Sequence, residues 1–211
     1  MNQASFDYPA TLRVDPQERS DRLTVLFRLV AVIPILIVLG LIVAGGGDGD
    51  ASTSEHVRFV GTAGVLFLPV AVMLVFRRKY PRWWFDWNLE FTRFSNRIGA
   101  YLFLLRDEYP STDEEQSVHI DIVYPDATME LNRWLPLVKW LLLLPHIVIL
   151  VFLWIAVLFC TVFAWFAILI TGRYPRELHP FVEGVMRWSL RVGAYGFLLT
   201  TDRYPPFSLR E

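Results

Sequence analysis

The stretch YPRWWFDWNLEFTRFSNRIGAYLFLLRDEYP, from Tyr80 to Pro110, returns as YPRELHPFVEGVMRWSLRVGAYGFLLTTDRYP, from Tyr174 to Pro205. Tyr-Pro-Arg opens both, and R-x-S-x-R-x-G-A-Y-x-F-L-L recurs at an offset of 94. One extra residue before the closing Tyr-Pro raises the offset to 95, so Asp107, Tyr109 and Pro110 answer to Asp202, Tyr204 and Pro205. Self-similarity of this kind marks a duplicated structural unit.

Within the first stretch, Trp87, Phe91, Phe94, Ile98 and Tyr101 recur at steps of four and three, which keeps them on one side of a helix. Phe181, Val185, Trp188, Val192 and Tyr195 repeat the pattern. The spacing predicts helices over about 84–105 and 178–199. Arg93 and Arg97, matched by Arg187 and Arg191, sit four apart on a different face, and Glu183 precedes Arg187 by four. An apolar aromatic face beside an arginine row describes a helix lying in a membrane interface, here on the cytoplasmic side. A helix packed on the protein's own bundle is the other reading, and the two are compatible.

The rest of the chain supports a membrane setting. Of 211 residues, 54% are hydrophobic and 15% aromatic, too apolar for an ordinary soluble domain of this size. Net charge is −1, so no overall field recruits nucleic acid. The first 22 residues are polar and carry no secretory signal, so none is expected. Apolar runs at 23–44 and 57–76 are each long enough to span a bilayer, and GGGDGDASTSEH joins them. A third run, 135–170, is broken by Pro136, Lys139, Pro145 and His146. Short extended segments are expected at 5–14 and 118–122, the second from the alternation of Val118, Ile120 and Ile122 with His119 and Asp121.

Charge bears on the third run. Of the 20 basic residues, 17 fall in 1–22, 77–133 and 171–211, which the positive-inside rule places together in the cytoplasm. A single crossing would strand six arginines outside. The expectation is a tight hairpin turning near Phe152–Ile155; a re-entrant half-crossing satisfies the same argument. The chain then divides into a first repeat, 1–112, and a second, 113–211. Each holds an extended segment, a membrane hairpin and an interfacial helix, in a multi-pass protein with both termini cytoplasmic.

The string TGRYPRELHPFVEGVMRWSLRVGAYGFLLTTDRYPPFSL, with WLLLLPHIVIL upstream, resembles the DUF4389 family of prokaryotic integral membrane proteins, whose function is unassigned. The resemblance extends over both copies and is closer in the second. In the first, Ile35 follows Pro34 where the second has His146 after Pro145, and WWFDW replaces the residues after Tyr-Pro-Arg. The family implies a membrane protein and no catalytic residues.

No phosphate-binding, dinucleotide-binding, zinc-protease or nucleophile-elbow motif is present. The four histidines lack metal-ligand spacing, and the lone Cys160 excludes an internal disulfide. No cofactor, metal or enzymatic activity is expected. Arg82 and Arg176, just after apolar runs, are candidates for lipid phosphates or simple topology anchors. Arg93, Arg97, Arg187 and Arg191 are candidates for anionic head groups or a partner. Arg28 and Lys139 each stand six residues before a proline inside an apolar run. A charge there must snorkel, pair or serve a function. His146 joins them as an intramembrane polar residue. The expected role is a scaffold or accessory protein presenting basic amphipathic helices to anionic lipid and to a membrane protein partner or a second copy. A small transporter or lipid-handling protein, with a polar path near Arg28, Lys139 and His146, is the alternative.

Overall fold

The computed structural model describes residues 8–17, 19–44, 69–112 and 114–210. The loop at 45–56 and the first twelve residues of the expected span at 57–76 lie outside them. The chain is mainly helical: α1 (Arg22–Ala31), α2 (Ile33–Ala44), α3 (69–77), α4 (Arg82–Leu102), α5 (Pro136–Leu142), α6 (Leu144–Thr171) and α7 (His179–Gly196). Two strands, β1 (Ala10–Val14) and β2 (Val118–Ile122), form an antiparallel ribbon in which Leu12 faces Ile120.

Local sequence explains the breaks. Asp21 caps α1 by accepting the Leu23 N–H at 3.1 Å. Pro34 lacks the N–H that a continuous helix would need, so the chain bends by 46° between α1 and α2. Pro145 does the same between α5 and α6, where each proline occupies an early position of the following helix. Gly172 ends α6 in the left-handed region at φ 73°. Both α4 and α7 are followed by a left-handed leucine, Leu104 at φ 63° and Leu199 at φ 56°. That conformation costs a non-glycine residue about 1–2 kcal/mol. Burying each leucine returns about 1.5–3 kcal/mol, so the side chain wins.

The elements stack in three layers. The ribbon points Ala10, Leu12, Val14, Val118, Ile120 and Ile122 inward and alternate residues outward. Beneath it lie α4 and α7, and beneath them the apolar helices. The strands are exchanged: β1 of the first half lies on α7 of the second, and β2 of the second lies on α4 of the first. Both of these contacts cross the boundary at 112/113.

Two expectations need correcting. The hairpin near Phe152–Ile155 does not form; α6 runs unbroken for 28 residues, about 42 Å at the usual helical rise. No glycine, proline or polar turn residue lies between Pro145 and Gly172, so nothing in the sequence can reverse the chain there. Nor is α7 a half-exposed surface helix. It is covered on nearly all sides by β1, α6 and the C-terminal segment.

Candidate functional site

The two cations inside the apolar runs are buried and paired, each by the same device. Arg28 donates through Nη2 to the Asp107 carboxylate and through Nη1 to the Tyr101 carbonyl at 2.7 Å; its guanidinium lies 4.4 Å over the Tyr101 ring. Lys139 reaches Asp202 Oδ1 at 2.7 Å and the Thr201 carbonyl at 2.7 Å, and its Nζ stands 4.7 Å over the Tyr195 ring. These cations are 2% and 0% exposed. Neither snorkels.

The match extends further. Asp107 accepts the Asp21 backbone N–H at 2.8 Å, and Asp202 accepts that of Asn132. Asp21 and Asn132 each stand seven residues before the cation, and each accepts the N–H two residues on, at 3.1 and 3.0 Å. DRLTVLFR and NRWLPLVK are thus equivalent, a spacing that could have been found beside the longer repeat. The segment after α4 is thus clamped onto α1, and the segment after α7 onto α5, each by a buried ion pair.

The arginine row turns inward as well. Arg187 donates through Nε to the Leu12 carbonyl at 2.8 Å, through Nη1 to that of Leu209 at 3.2 Å and through Nη2 to Glu183 at 2.7 Å. Arg93 donates through Nε to the Ile120 carbonyl at 3.2 Å and pairs with Glu90. Leu12 and Ile120 are cross-strand partners, so the two arginines grip the ribbon from below at its centre. Arg97 holds the Ser111 carbonyl at 2.8 Å, and Arg191 that of Arg210 at 3.0 Å. Arg97, Arg187 and Arg191 are buried and Arg93 is half-buried, so the row is absorbed by the fold rather than displayed to head groups. Arg82 and Arg176, by contrast, are exposed, together with Arg77, Arg78, Lys79 and Arg173. Arg82 leans on the Tyr124 ring at 5.6 Å.

His146 is fully buried at the start of α6. Its Nδ1 accepts the Trp188 indole N–H at 3.0 Å, and Phe207 stacks on its ring at 3.9 Å. Accepting at Nδ1 puts the neutral ring's proton on Nε2, which has no partner among the described residues. On the polar side a cleft opens between the ribbon and the segment bearing Asp202, lined among others by Thr11, Asp121, Glu130 and Arg203. Among the described residues no group of three or more acidic, histidine or cysteine side chains is placed to hold a metal.

Opposite the cleft, large apolar side chains are exposed along α1, α2, α5 and α6. The molecule is therefore a mainly helical protein with a polar ribbon on one side and lipid-like surface on the other. One helix, α6, is long and apolar enough to cross a membrane. Residues 134–208 match DUF4389, a domain of unknown function, in a single copy; the first half, which the sequence resemblance had included, is not matched. No curated protein and no solved structure matches the chain.

Proposed function

We propose that the protein is a non-enzymatic scaffold of the cell membrane, built from two copies of one unit, which anchors by its apolar face and offers the ribbon side to a partner. The observation that carries this reading is the exposure of α6. Only 17% of its most apolar 18-residue window is buried, whereas the core helix of a soluble protein is mostly covered. Lipid contact passes from the arginine row to the rim. Arg82 and Arg176, with Arg77, Arg78, Lys79 and Arg173, are free to meet anionic head groups, each contributing on the order of 1 kcal/mol. The partner side is the ribbon and its cleft, where Asp121, Glu130 and Arg203 offer charges of both signs to a polar protein segment.

Arg28 and Lys139 each have an aspartate, a carbonyl and a tyrosine ring of their own half as partners, which supports the scaffold reading over a transporter with a polar path between the halves.

Flotation with vesicles of phosphatidylcholine and phosphatidylglycerol tests the proposal. The protein should float. The double variant Arg82→Gln/Arg176→Gln should lose about tenfold or more in affinity for the anionic vesicles, with a weaker salt dependence. Protein that remains with the soluble fraction, in detergent-free buffer and properly folded, overturns the reading.

A further inference from the structure

We propose that α6 lies in the plane of the membrane, embedded in one leaflet, and does not cross it. This rests on the membrane reading above and specifies how the lipid is met.

Three observations lead there. The first is packing along α6. The buried stripe His146, Leu150, Val157, Ala164 and Ile168 runs its whole length, so the fold covers one side of it from end to end. The other side, Val148, Phe152, Ile155, Phe159, Phe163, Phe166 and Ile170, is exposed just as continuously. These steps of four and three make one face of a helix.

The second is what sits at mid-length. α7 runs back along α6: Gly196 lies on Leu143, while Trp188 meets His146 and Trp154 donates to Ser189 Oγ at 3.1 Å. On the other side of α7, at the same level, lies β1, since Glu183 takes the Val14 N–H and Arg187 the Leu12 carbonyl. The ribbon thus lies over the middle of α6, two layers away, about 20 Å by ordinary packing distances. Standing α6 upright in a bilayer would hold the ribbon beside hydrocarbon. Its outer face carries Arg13, His119 and Asp121, with side chains 71%, 56% and 84% exposed. Such a row of ionisable side chains is excluded from lipid.

The third is charge. Arg173 and Arg176 follow the C-terminal end of α6. The other end is basic too. Arg133 stands just before α5 and donates to the Val75 carbonyl, which brings Arg77, Arg78 and Lys79 there, while the Tyr80 hydroxyl bonds the Leu198 carbonyl at 2.6 Å. Basic residues at both ends belong on the same side of the membrane. A hairpin would satisfy that, but α6 is continuous. An in-plane helix satisfies it without a turn.

The experiment measures depth. In a Cys160→Ser background, and separately in Cys160→Ala, single cysteines replace Val148, Ile155, Phe159, Phe166 and Ile170. Each is labelled with bimane and quenched in phosphatidylcholine–phosphatidylglycerol vesicles by lipids brominated at different acyl positions. Val148 and Ile170 are separated by about 33 Å of helix, close to the hydrocarbon thickness. The expected result is one shared depth for all five. A profile deepest at Ile155–Phe159 and shallow at both ends, as a crossing requires, overturns the proposal. As a second measurement, Trp134→Cys and Arg173→Cys flank the α5–α6 segment. An impermeant maleimide should reach both or neither in sealed vesicles, and reaching only one again means a crossing. Failure of the parent protein to float would instead sink the membrane reading itself.

Discussion

The two halves solve one packing problem with different chemistry. In the second, His146 follows the helix-breaking proline and takes a hydrogen bond from Trp188. In the first, Ile35 follows Pro34 and Phe94 stands 94 positions before Trp188; Ile35 and Phe94 belong to one small apolar cluster. A polar pair has been exchanged on both sides for an apolar pair. The slot beside it differs as well. Phe207 fills it in the second half, whereas the first half has Thr112 at the matching position and an open cleft beside Ile35 and Phe94. What both halves keep is the buried cation, its aspartate and the tyrosine face. Core pairs are interchangeable when both members change together; a buried charge and its counter-charge are held to stricter terms.

The largest effect should come from breaking that shared device. Asp202→Ala leaves the Lys139 ammonium buried with one carbonyl and a ring, and is expected to cost about 3–5 kcal/mol. Thermal unfolding in mild detergent would show it. Asp107→Ala should fall in the same range, since Arg28 is as deeply placed. A loss below about 1 kcal/mol at either site would mean that water reaches the cation and the pair is not structural.

Next comes the exchanged pair. His146→Ile orphans the Trp188 N–H at an expected cost of about 1–3 kcal/mol, and Trp188→Phe orphans His146 Nδ1 similarly. The double variant restores the chemistry of the first half. The two losses should therefore fail to add by about 1–2 kcal/mol in a double-mutant cycle. Simple additivity would show that the halves are not packed alike.

Much of this was legible in the sequence, but unevenly. The repeat, the two helices after the Tyr-Pro-Arg segments and the alternation of β2 follow from local spacing. The equivalence of Arg28 with Lys139, and of Asp107 with Asp202, is also visible. That the members of each pair meet is not, because they lie 79 and 63 positions apart in the chain (107 − 28 and 202 − 139) and only the closed fold joins them. The fate of the arginine row was hidden for the same reason. Helical periodicity separates an arginine face from an aromatic face, but it cannot say that a strand from the other half covers the arginines. The absence of a turn in α6 was legible: no residue from Ile147 to Thr171 favours one, yet the charge argument led to a hairpin.

A smaller difference between the halves sits on the outer turn of α7. A Cβ on Gly184 would stand 2.8 Å from the Leu209 carbonyl oxygen, a backbone atom held in turn by Arg187. The matching residue of the first half, 94 positions earlier, is Glu90, whose side chain extends to Arg93. Gly184→Ala should push the C-terminal segment off α7 at a cost of about 1–2 kcal/mol and make residues 203–210 sensitive to limited proteolysis. Glu90→Ala should leave the corresponding segment at 109–112 as protected as before. Equal protection of residues 203–210 in Gly184→Ala would mean that the close approach is not maintained in solution.

The smallest expected difference is a pH response at the segment that follows α4, without a counterpart at the matching position after α7. Burial opposes ionisation of Glu108, but hydrogen bonds from the Ser117 hydroxyl and N–H and from Arg106 outweigh it and hold the carboxyl below its ordinary value. A depressed carboxyl contributes stability that is complete above its unfolded pKa and is lost as pH falls through the folded one. The matching residue of the second half is Arg203, 95 positions on, so the carboxylate has no counterpart there. Acidification from about pH 5 downward should therefore loosen the Glu108–Ser117 connection before anything comparable occurs at 203. The carboxylate is partly exposed, so the contribution is about 0.5 kcal/mol or less after screening. Hydrogen exchange across the pH series, corrected for intrinsic rates, reads it. Amides near Ser117 should lose protection with acid in the parent and show no such step in Glu108→Gln. A step that persists in the variant would assign the acid response to another carboxylate.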